Sequence, residues 1–212
     1  MKKILVWDLP VRLGHWLMAG GFALAWVTGD SESWRLVHVF AGGTVTAVAL
    51  FRLLWGIVGS KHARFSSFVR GPRQAFAYLK SLLRFSPQHY TGHNPAGGWA
   101  VMLLLFLALT SGASGWFTYQ ELGGEWLEEL HEFLTGLMLA VVAVHLAGVL
   151  VGSLLHGENL PRAMITGRKQ GEPDEAEARP GGGNVSFFQR AVPLLELLER
   201  SLKDKKPVTW GV

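Results

Sequence analysis

The sequence predicts an all-α protein, a four-helix transmembrane bundle with cytoplasmic N- and C-termini, and three observations carry that expectation. Charged residues make up only 17% of the 212-residue chain, against about 25% in an ordinary soluble domain. The deficit lies in four long apolar blocks, each near the roughly 20 residues that cross a bilayer as a helix. Basic residues gather on alternate connections between those blocks, the asymmetry that orients membrane proteins.

The N-terminus, MKKILVWDLPVRLGHW, carries Lys2 and Lys3 as a secretory signal would. Asp8, Pro10 and Arg12 interrupt the apolar region, and no small-residue cleavage site follows, so a retained cytoplasmic N-terminus is expected. Spans are expected over about 9–29, 36–58, 97–119 and 129–155. The last two are apolar nearly all round, whereas a core helix of a soluble bundle would keep a polar stripe. Between the second and third spans lie Lys61, Arg64, Arg70, Arg73, Lys80 and Arg84, with no acidic residue from Gly59 to Ala96. Arg162, Arg168 and Lys169 follow the fourth span, while Glu121, Glu125, Glu128 and Glu129 occupy the connection before it without a Lys or Arg. Both termini and the long middle loop are therefore expected inside, and the connections near 30–35 and 121–129 outside.

Three further readings complete the organisation. Within the middle loop, SSFVRGPRQAFAYLKSLLRF is expected to form an amphipathic helix on the inner surface. Residues 1–169 form the membrane domain, 170–184 read as a flexible Gly-, Pro- and charge-rich linker, and 185–212 as an amphipathic cytoplasmic tail helix that begins near Pro193. The formal net charge of +4 orients the chain and meets anionic lipid headgroups, so nucleic acid is not an expected partner. There is no cysteine, which excludes disulfides, iron–sulfur clusters and covalent haem attachment.

The chain has 8 histidines, and four of them, His15, His38, His131 and His145, fall inside expected spans. One intramembrane histidine is most often a helix–helix hydrogen-bond partner; four together point to function, because ionisable groups in lipid are costly. His131 and His145 are fourteen residues apart, close to four turns and about 21 Å of helix, so both imidazoles face the same way. The direction of each span matches depths in pairs: His15 with His145 on the inner side, His38 with His131 on the outer. Two bis-imidazole levels suit two b-type haems, whose irons take axial ligands from opposite faces. Zinc would require convergence of the ligands, and a proton relay would favour carboxylates, of which only Glu132 is near.

Arg12 and Arg35 each precede a span histidine by three residues and share its helix face. They are candidate counter-ions for haem propionates, with snorkelling to the interface as the alternative. Arg52 returns to the face of His38 fourteen residues later, at the inner level, and is a candidate cofactor partner. Gly14, Gly42, Gly43, Gly136 and Gly148 lie near the ligands, where a flat macrocycle needs room; small residues also ease helix packing in lipid.

VWDLPVRLGHW at the start, GHNPAGGWAVMLLL entering the third span, and the His131/His145 pair resemble the bacterial cytochrome b561 family, more narrowly its hydrogenase-type cytochrome b branch. The resemblance runs from Val6 to Lys169 and leaves the tail outside. It implies a multi-pass subunit of the bacterial inner membrane that holds two non-covalent haems b on His15, His38, His131 and His145. Electrons would pass between the quinone pool, ubiquinone or menaquinone, and a periplasmic partner such as a c-type cytochrome or a hydrogenase or dehydrogenase subunit. No quinone-site pattern matches. His62, His89, His93 and His156 are expected in loops or at a span end and exposed to solvent, with His93 or Asn94 lining an inner quinone pocket as the alternative.

Two other functions compete with an electron-transfer subunit. A superoxide:quinone oxidoreductase, acting without a partner, would favour a basic outer mouth, and the expected outer loop is acidic. A haem-free membrane scaffold or transporter would use the histidines structurally. A homodimer is compatible with so small a bundle.

Overall fold

The computed structural model describes residues 3–84, 90 and 92–170. The tail helix expected over 185–212, the linker apart from residue 170, and His89 lie outside the described residues.

A short strand, β1 (Lys3–Leu5), leads into α1 (Leu9–Thr28). Asp8 caps α1, its carboxylate accepting from Val11 N–H at 2.9 Å, and Pro10 occupies the first turn, where no N–H is needed. A single 3-10 turn, Glu32–Trp34, then reverses the chain into α2 (Arg35–Val58). The middle loop departs from expectation: instead of one amphipathic helix it holds a single turn, α3 (Phe65–Phe68), and a separate α4 (Pro72–Leu83). Pro72 is the cause, since it pushes the preceding residue out of the helical region and can only open a new helix.

Asn94 caps α5 (Pro95–Tyr119) by accepting from Gly97 N–H at 2.7 Å. The helix α6 (Glu125–His156) starts earlier than expected, so Glu125, Glu128 and Glu129 ride on its first turns and not in a loop; acidic groups there complement the helix dipole. It ends at Gly157, whose φ of +63° is the left-handed conformation that glycine supplies without strain. A short α7 (Leu160–Thr166) and β2 (Arg168–Gln170) follow.

Helix α2 packs on both α1 and α5, and α5 packs on α6. The buried core joins Val45 and Ala49 of α2, Leu105, Leu107 and Ala108 of α5, and Met138 of α6. Outside it, large apolar side chains face outward: Val27, Phe40, Leu54, Val144 and Leu154 are all exposed. Water would penalise such a surface, whereas hydrocarbon matches it. Three helical stretches, Glu32–Val58, Pro95–Tyr119 and Glu125–His156, are long and apolar enough to cross a membrane. Helix α1 has the length, but Arg12 and His15 dilute its hydropathy.

Strands β1 and β2 pair antiparallel, Ile4 opposite Lys169, a feature the sequence reading did not include. Arg12 Nη1 donates to Ile165 C=O at 2.6 Å and so ties α1 to α7. Residues 3–5 and 168–170 therefore lie at one end of the helices.

Candidate functional site

The structure brings His38 and His131 into ring contact and sets His15 within electrostatic reach of His145. His38 of α2 and His131 of α6 face each other with ring centres 6.1 Å apart and planes at 84°. A metal–imidazole bond of about 2 Å on each side, added to the half-width of each ring, sets opposed ligands about 6 Å apart. Each ring is also held by its far nitrogen. His38 Nδ1 donates to Ala25 C=O at 2.9 Å. His131 Nδ1 donates to Ser111 C=O at 3.0 Å, with the Ser114 hydroxyl 3.1 Å away. A carbonyl can only accept, so Nδ1 carries the proton in both rings and Nε2 keeps its lone pair for a metal. Metal-ligating histidines are oriented in this way.

At the other level His15 of α1 and His145 of α6 are electrostatically coupled. His15 Nδ1 is buried without a hydrogen-bond partner. Among the described residues no three His, Asp or Glu side chains come together to hold a metal. A Cβ at Gly42, Gly43, Gly136 or Gly148 would meet nothing within 4 Å, as a macrocycle's neighbours require, whereas Gly14 packs against Val48.

The arginines separate. Arg12 is engaged with α7, and Arg35 lies 5.7 Å from the Tyr119 ring centre. Arg52 is buried on α2, where Nη2 donates to Ala63 C=O at 2.9 Å and the guanidinium stacks over Phe65 at 4.9 Å.

The expectation for His93 is corrected. It is not solvent-exposed: its ring sits between Trp7 at 4.4 Å and Phe68 at 4.5 Å. Burial pushes its imidazole pKa down to about 3, reinforced by Arg52 and Lys169 and by His145 and His15 close by. The capping of α5 by Asn94 turns the preceding residue inward. The sequence signal was the GHNP start of the helix, but not the aromatic neighbours. His156, also expected in solvent, is half-buried and lies 3.5 Å from the Tyr78 hydroxyl. Sequence reasoning also missed Ser111, Ser114 and Gly115, which form the wall behind His131. Their TSGASGW run of small residues was the available sign.

The profile of the prokaryotic cytochrome b561 family matches residues 6–167, the segment that holds helices α1 to α7 and the histidines His15, His38, His131 and His145. The chain belongs to the prokaryotic cytochrome b561 family. This cytochrome b561 is accordingly a membrane electron-transport protein of the b-haem class. It is similar to a protein described as a probable Ni/Fe-hydrogenase B-type cytochrome subunit in Rhodobacter capsulatus, 23% identical over 82% of this chain and 84% of that one. A similarly described protein of Bradyrhizobium diazoefficiens is 23% identical over 79% of this chain and 86% of its own. One from Azotobacter chroococcum is 31% identical over 60% and 65%. A second profile, a domain of unknown function (DUF1840), matches residues 157–210. No solved structure matches.

Haem b fits the donor set of this cytochrome b561. His38 and His131 stand 6.1 Å apart centre to centre, a separation that an iron can bridge, and no thiolate is present.

Proposed function

We propose that this cytochrome b561 is a four-helix, di-haem inner-membrane subunit that transfers electrons between the quinone pool and a periplasmic hydrogenase-type partner. The outer couple carries the proposal: His38 and His131 at 6.1 Å, each with Nδ1 committed to a carbonyl. Bound haem b supplies a one-electron carrier at each level.

The chain's own residues do the rest. His38 and His131 hold the outer group, His15 and His145 the inner. Ala25 and Ser111 fix the tautomers of the outer ligands and raise their basicity. Arg52 contributes a permanent positive charge at the inner level. The carboxylates on the first turns of α6 give the outer end a negative field, suited to steering a basic partner surface. That same field disfavours superoxide as substrate. The joining of both chain segments at one end, with basic loops beside it, supports cytoplasmic termini. The descriptions of the relatives favour a hydrogenase as the partner; with a hydrogenase as donor, ubiquinone or menaquinone would be the acceptor. A c-type cytochrome would serve the reverse direction.

The test is the haem-to-protein ratio of the purified chain, with a reduced-minus-oxidised spectrum, followed by rapid reduction with a quinol. Two low-spin b haems per chain, both reducible, are expected. A ratio of one or none refutes the proposal.

A further inference from the structure

Buried polar atoms in native proteins are satisfied with few exceptions, and each exception calls for a partner that completes it. Among the described residues, Arg52 Nη1 and His93 Nδ1 are both buried without a hydrogen-bond partner. The two side chains come from different elements and lie within electrostatic reach of each other and of His15 and His145. Among the described residues, neither nearby carboxylate is hydrogen-bonded to these two atoms. The other contacts of Arg52 are a neutral carbonyl and an aromatic face. The Asp8 carboxylate is taken by Val11 N–H, Trp55 Nε1 at 2.9 Å and Ser60 Oγ at 2.6 Å. Glu158 is paired with Lys169 at 3.1 Å. Arg52 feels the Asp8 charge but makes no hydrogen bond to it, so its buried Nη1 donor stays unmet, which is costly. A charge-assisted bond to a carboxylate is the strongest way to satisfy it.

We propose that His93 and Arg52 together form the receptor for a propionate of the inner haem, with His93 donating through Nδ1 and Arg52 through Nη1. The proposal rests on the di-haem reading and adds His93 to the haem-binding residues. The aromatic clamp of Trp7 and Phe68 sets the direction of the donor, and the cap of α5 at Asn94 fixes where the clamp closes on it. The inner haem is thereby registered against the loop that precedes α5 as well as against its axial ligands.

The test is a redox titration of both haems in the full-length protein carrying His93→Ala, His93→Gln or Arg52→Gln. Withdrawing a donor leaves the propionate more negative and favours ferric iron. At fixed potential the reduced-to-oxidised ratio of the inner haem should fall about tenfold in Arg52→Gln, equivalent to about 59 mV for one electron. It should fall less in His93→Ala, and the outer haem should not move. His93→Gln, which retains an N–H donor, should recover part of the loss. An unmoved inner potential, an equal shift of both haems, or a His93→Gln variant as impaired as His93→Ala overturns the proposal. Loss of the inner haem alone from His93→Ala supports it. If a variant loses both haems, wild-type protein reconstituted with haem dimethyl ester decides: the uncharged ester should occupy the inner site less than the outer, and equal occupancy overturns the proposal. A wild-type chain that holds fewer than two haems would instead refute the reading beneath it.

Discussion

Gly115→Ala is the sharpest perturbation of the outer site, because Gly115 is not a ligand and the substitution adds one methyl group. A Cβ at Gly115 would stand 2.7 Å from His131 Cε1 and 3.1 Å from its Nδ1, against an ordinary contact of 3.4–4 Å. The ring must retreat by roughly 0.7 Å to relieve the overlap. That retreat acts on the imidazole atoms that also carry the Nδ1 hydrogen bond to Ser111 C=O at 3.0 Å. Disturbing such an outer partner of a metal ligand weakens metal affinity by about 10–100-fold, or about 1.4–2.8 kcal/mol. Haem titration into the apoprotein, followed at the α-band, should show the outer site weakened by that factor and the inner site unchanged. Gly20→Ala is the matched control, since a Cβ there meets nothing within 4 Å. Unchanged outer affinity in Gly115→Ala, or equal weakening in the control, would refute the reasoning.

His131→Ala should remove mainly the outer haem and His145→Ala mainly the inner one; haem content that is unchanged in either breaks the pairing. Arg35→Gln should lower the midpoint of the outer haem if the guanidinium acts on it, whereas an unchanged value assigns Arg35 to its stacking on Tyr119. Asp8→Ala removes an N-cap and should cost about 1 kcal/mol in thermal unfolding, more if the Trp55 and Ser60 donors stay unpaired. For the Asp8 carboxylate, burial raises the pKa, but hydrogen bonds from Ser60, Val11 and Trp55 and the charge of Arg52 outweigh it, leaving the group below its usual 3.8. Its contribution to stability is therefore present above pH 3.8 and lost as pH falls through the lower folded value. A wild-type melting curve that loses no more than the Asp8→Ala variant across that range would contradict this.

The membrane helices were legible because lipid imposes a crude rule on composition: about 20 apolar residues, whatever their order. The spacing of His131 and His145 was legible for a related reason, since helix geometry converts fourteen residues into depth and direction without reference to any other segment. Features that depend on meeting a distant element were hidden. β1 and β2 are three residues each, too short to display a period of two, and their pairing exists because the start of α1 lies beside α7, to which Arg12 bonds. The burial of His93 depends on Trp7 and Phe68, which lie 86 and 25 positions away in the chain. Gly115 matters because of what α6 places against it, so a sequence reading that looked for room around the ligands named other glycines instead.

The two ends of the bundle are built by different means. At the outer end His38 and His131 are fixed by main-chain carbonyls of neighbouring helices, Ala25 of α1 and Ser111 of α5. Correct helix packing is therefore enough to set their tautomers, and the exposed acidic turns of α6 are left to present charge. At the end where β1 and β2 pair, charged side chains fasten distant parts of the chain: Asp8 accepts from Trp55 and Ser60, Arg12 donates to the Ile165 carbonyl, and Lys169 donates to the Tyr90 carbonyl and pairs with Glu158. Backbone acceptors do not titrate, so the geometry of the outer couple should be insensitive to pH, whereas the inner fastenings include a carboxylate, Asp8, that can be neutralised by acid. On the proposed reading, with a redox partner at one end and a quinone at the other, this division places fixed ligands where the partner would dock and a titratable carboxylate where protons would be exchanged.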